Sequence, residues 1–212
     1  MSRPGPTEYA PYYEKYQALV PEDDVLAALE GELGATLALL RSVPTAEADV
    51  RHPPYTWTIK EVVGHLTDCE RVFGYRALRI ARGDPTPLAS FDENAYARAA
   101  DADRYPLAEL AAEFEVVRRS HVWLFRHLAE ECWARRGVAN ETGVSVRALA
   151  YILVGHERHP RPSCAAGSPT PPRLCADAGT QPGRLGRVIR RPGRRGSRPG
   201  SCAAAARCPA AA

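Results

Sequence analysis

Three histidines in this sequence stand where imidazole groups can bind a metal ion. His65 lies in the stretch VVGHLTD, and His156 and His159 lie in the stretch YILVGHERHP. Helical residues three or four positions apart share one face of the helix, so His156 and His159 can point the same way. Three imidazoles from two helices would form a zinc-type site with an open position for water. Two packed histidines and one exposed histidine are the alternative, because an HxxH pair alone is a weak motif.

Acidic residues beside these histidines are candidates for proton transfer or for orienting a metal ligand. Glu157 follows His156, and Asp68 and Glu70 are close to His65 along the chain. Each of the three also fits an ordinary solvated acid on a helix surface. The segment FDEN, residues 91–94, is a candidate lid over the site, or else a capped turn before the next helix.

The remaining histidines are weaker candidates. His52 precedes two prolines in a predicted loop, and His127 lies off the apolar face of its helix, so we expect both at the surface. His121 lies on that apolar face, where a histidine is more often a core residue with a hydrogen-bond partner than a ligand.

Four amphipathic helices must position these residues. The first lies between Pro21 and Pro44, with leucines at three- and four-residue steps. The second begins with a capping box at Thr58–Glu61, the third begins at Pro106, and the fourth begins at the N-cap Ser145. No strand-like alternation separates them, so the fold class is predicted as all-α, a four-helix bundle. The long connection between the second and third helices leaves the order of the helices around the bundle open.

The composition changes abruptly after His159. Residues 1–20 form a tyrosine-rich lead segment, residues 21–159 read as the bundle, and residues 160–212 are rich in Pro, Arg, Gly and Ala. The last segment contains ten arginines and one acidic residue, Asp177, so it carries about +9, and residues 1–159 carry about −6, which together give the net charge of +3. We predict a disordered C-terminal tail.

The cysteines and the apolar residues exclude several protein classes. Of six cysteines, Cys69 and Cys132 lie in the bundle, and the four in the tail are irregularly spaced. This spacing fits neither a zinc ribbon nor a secreted disulfide framework. No apolar run is long enough to span a membrane, and no signal peptide is recognisable, so a cytoplasmic location is expected.

Several motifs resemble those of the DinB-like family of small bacterial four-helix-bundle metalloproteins. The second predicted helix opens with W-T-x-K-E-x-x-x-H-L, from Trp57 to Leu66, and the fourth contains G-H-E-x-H, from Gly155 to His159. The stretches EYAPYY and FDENAY also resemble the family. The resemblance covers approximately residues 8–159.

The resemblance implies a divalent metal, zinc or nickel, held by three histidines. His65 matches the ligand from the second helix, and His156 matches the first member of an HxxxH pair on the fourth. The second member would fall at position 160, where this chain has Pro160, so the third ligand is lost or displaced, and His159 is the nearby substitute. The family also implies homodimers and a small-molecule or thiol substrate, with metal-dependent thiol transfer or hydrolysis as the reaction. A bundle without metal, acting in binding or in stress responses, is the alternative.

The departure at position 160 coincides with the change of composition. Pro, Arg, Ala and Gly have GC-rich codons, so we interpret residues 160–212 as a frameshift product. A basic arm that binds nucleic acid is the less favoured alternative, because the segment contains no aromatic residue to stack on bases.

Overall fold

Four long helices dominate the computed structural model, which describes residues 2–51 and 56–159. They are α2 (Val25–Ser42), α3 (Ile59–Ala81), α5 (Leu107–Arg126) and α7 (Val146–Arg158). Three shorter helices are α1 (Glu14–Gln17), α4 (Glu93–Ala100) and α6 (Glu130–Trp133). The predicted all-α bundle is confirmed, and each long helix lies where the sequence pattern predicts it.

The helix starts follow from their capping residues. The Thr58 hydroxyl accepts a hydrogen bond from the Glu61 amide at 3.0 Å, and the Glu61 carboxylate accepts one from the Thr58 amide at 2.7 Å. The Ser145 hydroxyl accepts from the Ala148 amide at 3.0 Å. These caps satisfy amides that have no partner within the helix, and so they fix where α3 and α7 begin.

The helices are not arranged around the bundle in chain order. Both α2 and α3 pack against α5 and against α7, which places α2 and α3 diagonally across the bundle. The N-terminal part of α3 and the C-terminal part of α7 lie side by side, because His65 and His156 are in contact there. One end of the α3–α7 pair is therefore where the two candidate ligands meet.

A two-stranded hairpin, which the sequence pattern does not predict, precedes α7. Strand β1 (Arg136–Ala139) pairs antiparallel with β2 (Thr142–Ser145). The two turn residues, Asn140 and Glu141, have φ angles of 51° and 59°. This left-handed pair is the backbone of a type I′ turn, in which Asn is favoured but Glu is not, so the turn lacks the usual Asn-Gly signal.

The lead segment covers one side of α7. Tyr9, Tyr16 and Val20 are buried, and the Gln17 side-chain amide donates a hydrogen bond to the Ala148 carbonyl at 3.1 Å. The backbone carbonyl of Tyr16 lies so close to Gly155 that a Cβ atom at position 155 would overlap it. The glycine therefore permits the close approach of α1 to α7.

Among the described residues, no helix is both long enough and apolar enough to cross a membrane. Residues 160–212 lie outside the described residues, and so do the predicted disordered tail and its frameshift interpretation.

Candidate metal centre

Two imidazoles meet between α3 and α7. The Nε2 atoms of His65 and His156 are 3.2 Å apart, and their ring centroids are 5.1 Å apart. Both side chains are partly buried. The structure therefore brings together two of the three predicted ligands, from helices that are distant in the sequence.

A cysteine joins the two histidines. The Sγ atom of Cys69 lies 3.5 Å from Nε2 of His65, and the side chain is only 2% exposed. Within the described part of the chain, the ligand atoms of His65, Cys69 and His156 form a group in which all lie within 4.8 Å of one another. Cys69 was not among the predicted ligands. The available signal was its spacing, one helical turn after His65, which places both on one face of α3.

The distances within this group match those of a metal site. Tetrahedral zinc, with bonds of about 2.05 Å to nitrogen and 2.3 Å to sulfur, separates two nitrogen ligands by about 3.3 Å and a nitrogen and a sulfur ligand by about 3.6 Å. The observed separations are 3.2 Å and 3.5 Å. The residues present therefore fit a divalent ion of this kind.

Burial keeps the two imidazoles neutral. It lowers the pKa of His65 to about 4. It also lowers the pKa of His156 well below its usual value, and repulsion from the protonated forms of His65 and His159 lowers it further. Neutral imidazole is the form that binds metal, so neither ring has to lose an excess proton at neutral pH. Burial raises the pKa of the Cys69 thiol, as does the negative charge of Glu93.

Aromatic rings surround the pair of imidazoles. Trp57 contacts the His65 ring at 4.9 Å between centroids, and Tyr16 contacts the His156 ring at 5.3 Å. His159 contacts the same Tyr16 ring, with the two ring centroids 5.1 Å apart. His159 is thus a neighbour of the site but does not belong to the group of three ligand atoms, and its role as the third ligand stays a prediction.

Two of the three candidate acids are engaged in a buried charge network. Arg118 is fully buried and lies 2.6 Å from Glu70 and 2.7 Å from Glu157. Burial alone would raise the pKa of Glu70, but the charge of Arg118 and the hydrogen bond from His121 lower it overall. Burial raises the pKa of Glu157. These contacts link α3, α5 and α7, so both acids have a structural role, and their predicted part in proton transfer remains untested.

The third candidate acid faces a different region. Asp68 lies 3.5 Å from Arg71 and lines a cleft of about 480 Å³ between α3 and α5. The cleft is also lined by Gly64, Glu109 and Glu113 and not by the ligand group. Asp68 is not a member of the ligand group, and its role also stays a prediction.

The FDEN segment forms the capped start of α4. The Asp92 carboxylate accepts a hydrogen bond from the Ala95 amide at 2.9 Å, and the Phe91 ring packs against Tyr96. The capped turn is thus the observed structure, and the action of this segment as a lid stays a prediction.

His121 and His127 are not members of the ligand group. Nδ1 of His121 is 3.0 Å from the Glu70 carboxylate, as expected of a core histidine with a partner. His127 is exposed and lies against the Trp123 ring. His52 is outside the described residues.

Solved structures share this arrangement of helices. YfiT from Bacillus subtilis, described as a probable metal-dependent hydrolase with an unusual four-helix bundle topology, is 16% identical with a TM-score of 0.56, over 74% of this chain and 86% of that chain. A mycothiol-dependent maleylpyruvate isomerase is 14% identical with a TM-score of 0.55, over 66% of this chain and 59% of that chain. At these identities the likeness shows the fold.

The family assignment rests on the sequence itself. No curated protein matches the chain. The family model of the DinB superfamily matches residues 28–160, which include His65, Cys69 and His156. This match covers more than half of the sequence and agrees with the shared fold of the solved structures. The chain therefore belongs to the DinB superfamily.

Proposed function

We propose that this protein binds a divalent metal ion through His65 and His156 and acts on a small molecule by metal-dependent thiol transfer or hydrolysis. The observation that carries the proposal is the separation of 3.2 Å between the two Nε2 atoms. Two neutral imidazoles that carry their protons on Nδ1 would direct both Nε2 lone pairs at one ion across this distance. Zinc and nickel are the preferred candidates, because both accept imidazole ligands.

The bound ion would supply Lewis acidity, which lowers the pKa of a water molecule or thiol toward neutrality. The chain itself holds the imidazoles in place through the packing of α3 against α7. The rings of Tyr16, Trp57 and Phe73 shield the imidazoles from bulk water. A shielded site strengthens the electrostatic effect of a charge placed in it.

The two proposed reaction types are suggested by the descriptions of the two similar structures. One is described as mycothiol-dependent and the other as a metal-dependent hydrolase. Both would use the same ligands, so a small thiol or a hydrolysable small molecule is the proposed partner. A homodimer and a cytoplasmic location, both expected from the sequence, belong to the same proposal and can be tested by light scattering and cell fractionation.

The proposal is tested on the full chain after a chelator has removed bound metal. Thiol transfer to electrophiles and hydrolysis of small esters and amides are measured before and after zinc or nickel is added. We expect metal to restore one of these activities in the wild type and in His127→Ala, whose ring is exposed and lies against Trp123. His156→Ala should not recover. A wild-type chain that takes up no metal would instead support a bundle without metal.

A further inference from the structure

The two histidines alone leave a zinc site incomplete. Catalytic zinc sites have three protein ligands and one open position. Pro160 stands where the resemblance places the third histidine, and a proline side chain has no ligand atom. If the proposed function is correct, the chain must obtain its third ligand elsewhere.

We propose that the Cys69 thiolate is this third ligand, so that the site is a His-Cys-His centre. The inference rests on the proposed metal binding and deepens it. Cys69 is not bridged to another cysteine among the described residues, and its Sγ atom lies 3.5 Å from His65 Nε2. His65 and Cys69 are one turn apart on α3, so the rigid backbone of the helix holds their separation.

The geometry favours Cys69 over His159. The Cys69 sulfur lies in the group whose ligand atoms are all within 4.8 Å of one another, and the separations of 3.2 Å and 3.5 Å are close to those of tetrahedral zinc. His159 packs against Tyr16 at the end of α7 and is not a member of that group.

The chemistry of ligation is simple and involves no redox change. The Cys69 thiol releases its proton to solvent, and the sulfur donates an electron pair to the ion. One thiolate reduces the charge of the centre from +2 to +1. A soft sulfur ligand also favours zinc over hard ions such as magnesium and manganese.

X-ray absorption at the zinc edge tests the inference on the full chain loaded with one equivalent of zinc. We expect one sulfur at about 2.3 Å from the ion, together with nitrogen ligands at about 2.0–2.1 Å. Cys69→Ala should lose the sulfur shell, and Cys132→Ala should keep it. Cys132 is the matched control, because it is also buried and unbridged. The cysteines of residues 160–212 are the same in all variants, so they cannot account for a difference between them.

A second measurement, with a more conservative substitution, tests the same ligand in case Cys69→Ala does not fold. The cobalt-loaded wild type should show sulfur-to-cobalt charge-transfer absorption in the near ultraviolet, and the conservative variant Cys69→Ser should lose it while circular dichroism stays unchanged.

The outcomes separate the two proposals. A wild-type centre that contains zinc and only nitrogen or oxygen ligands would overturn the role of Cys69 and leave the proposed metal binding standing. A wild-type chain that binds no zinc would overturn both.

Discussion

Single residues set the properties of the ligand group. His65 and His156 face each other from two helices, and burial keeps both rings in the neutral form at physiological pH. An ion can therefore bind to the group without first displacing a proton from an imidazolium.

Removal of one imidazole should weaken zinc binding strongly. Changes to residues that only orient a metal ligand lower metal affinity by about 10- to 100-fold. We therefore expect His65→Ala to raise the zinc dissociation constant by about 100-fold or more, measured by competition with a chromophoric chelator. His127→Ala should bind like the wild type. An unchanged affinity in His65→Ala would place the ion elsewhere.

The buried arginine is a second residue whose effect can be predicted. Arg118 lies between Glu70 and Glu157, so Arg118→Met would leave two buried carboxylates without their cation. Removing one partner of a buried ion pair costs about 3–5 kcal/mol, and we expect a loss of this size in the free energy of unfolding, measured with urea.

The adjacent Arg119 supplies the control. Its side chain is exposed and pairs with Glu115 one turn away, a type of contact worth about 0.3–0.5 kcal/mol. Arg119→Met should therefore be nearly neutral. Equal effects of the two substitutions would contradict the structural role of the network.

Packing between elements holds the site in place, and the contact of α1 with α7 is one example. The Tyr16 carbonyl occupies the space that a side chain at position 155 would need. Gly155→Ala should displace α1 and lower the free energy of unfolding by about 1–3 kcal/mol, the usual cost of overpacking.

A second glycine tests whether this loss comes from the contact. Gly31 is an exposed helical residue of α2, and a Cβ atom there would meet nothing within 4 Å. Gly31→Ala should stabilise the protein by about 0.5–1 kcal/mol, because alanine favours the helix. Thermal unfolding of both variants gives the comparison, and stabilisation by both would contradict the close approach of α1.

The lead segment is also tied to α7 by an ion pair that depends on pH. Glu8 accepts hydrogen bonds from Arg147 at 2.6 and 2.7 Å. Burial alone would raise the pKa of Glu8, but the hydrogen bonds from Arg147 and from the Gly5 amide outweigh it and lower the pKa from 4.5 to about 2. The ionised form is thus the one that stabilises the fold.

The stabilisation should be present above pH 4.5 and should disappear as the pH falls toward 2, because the unfolded chain takes up the proton first. We expect Glu8→Gln to be less stable than the wild type by about 1.5 kcal/mol at pH 6. Urea unfolding at a series of pH values should show this difference shrink between pH 5 and pH 2. A difference that does not change with pH would contradict the ion pair.

The molecule as a whole shows which features a sequence pattern can predict. Leucine spacing and the caps at Thr58 and Ser145 act locally, so the four helices and their starts were predictable. The hairpin was not, because its strands have four residues each and its turn holds Glu141 in a left-handed conformation.

The ligand group also contains some features that the sequence predicts and others that it does not. His65 and His156 could be chosen by resemblance to a family motif. The spacing of Cys69 from His65 is a local signal, but the approach of both to His156 depends on how α3 packs against α7, and the pairing of Arg118 with two acids depends on three helices at once. Such contacts arise from tertiary packing, and no local pattern encodes them.

Anomalous scattering at the zinc edge, from crystals of the full chain grown with zinc, tests the central claim most directly. We predict one strong peak between α3 and α7, at about 2.0–2.1 Å from Nε2 of His65 and from Nε2 of His156. Crystals of zinc-treated protein with no peak at this position, or with zinc only at surface residues, would contradict the account.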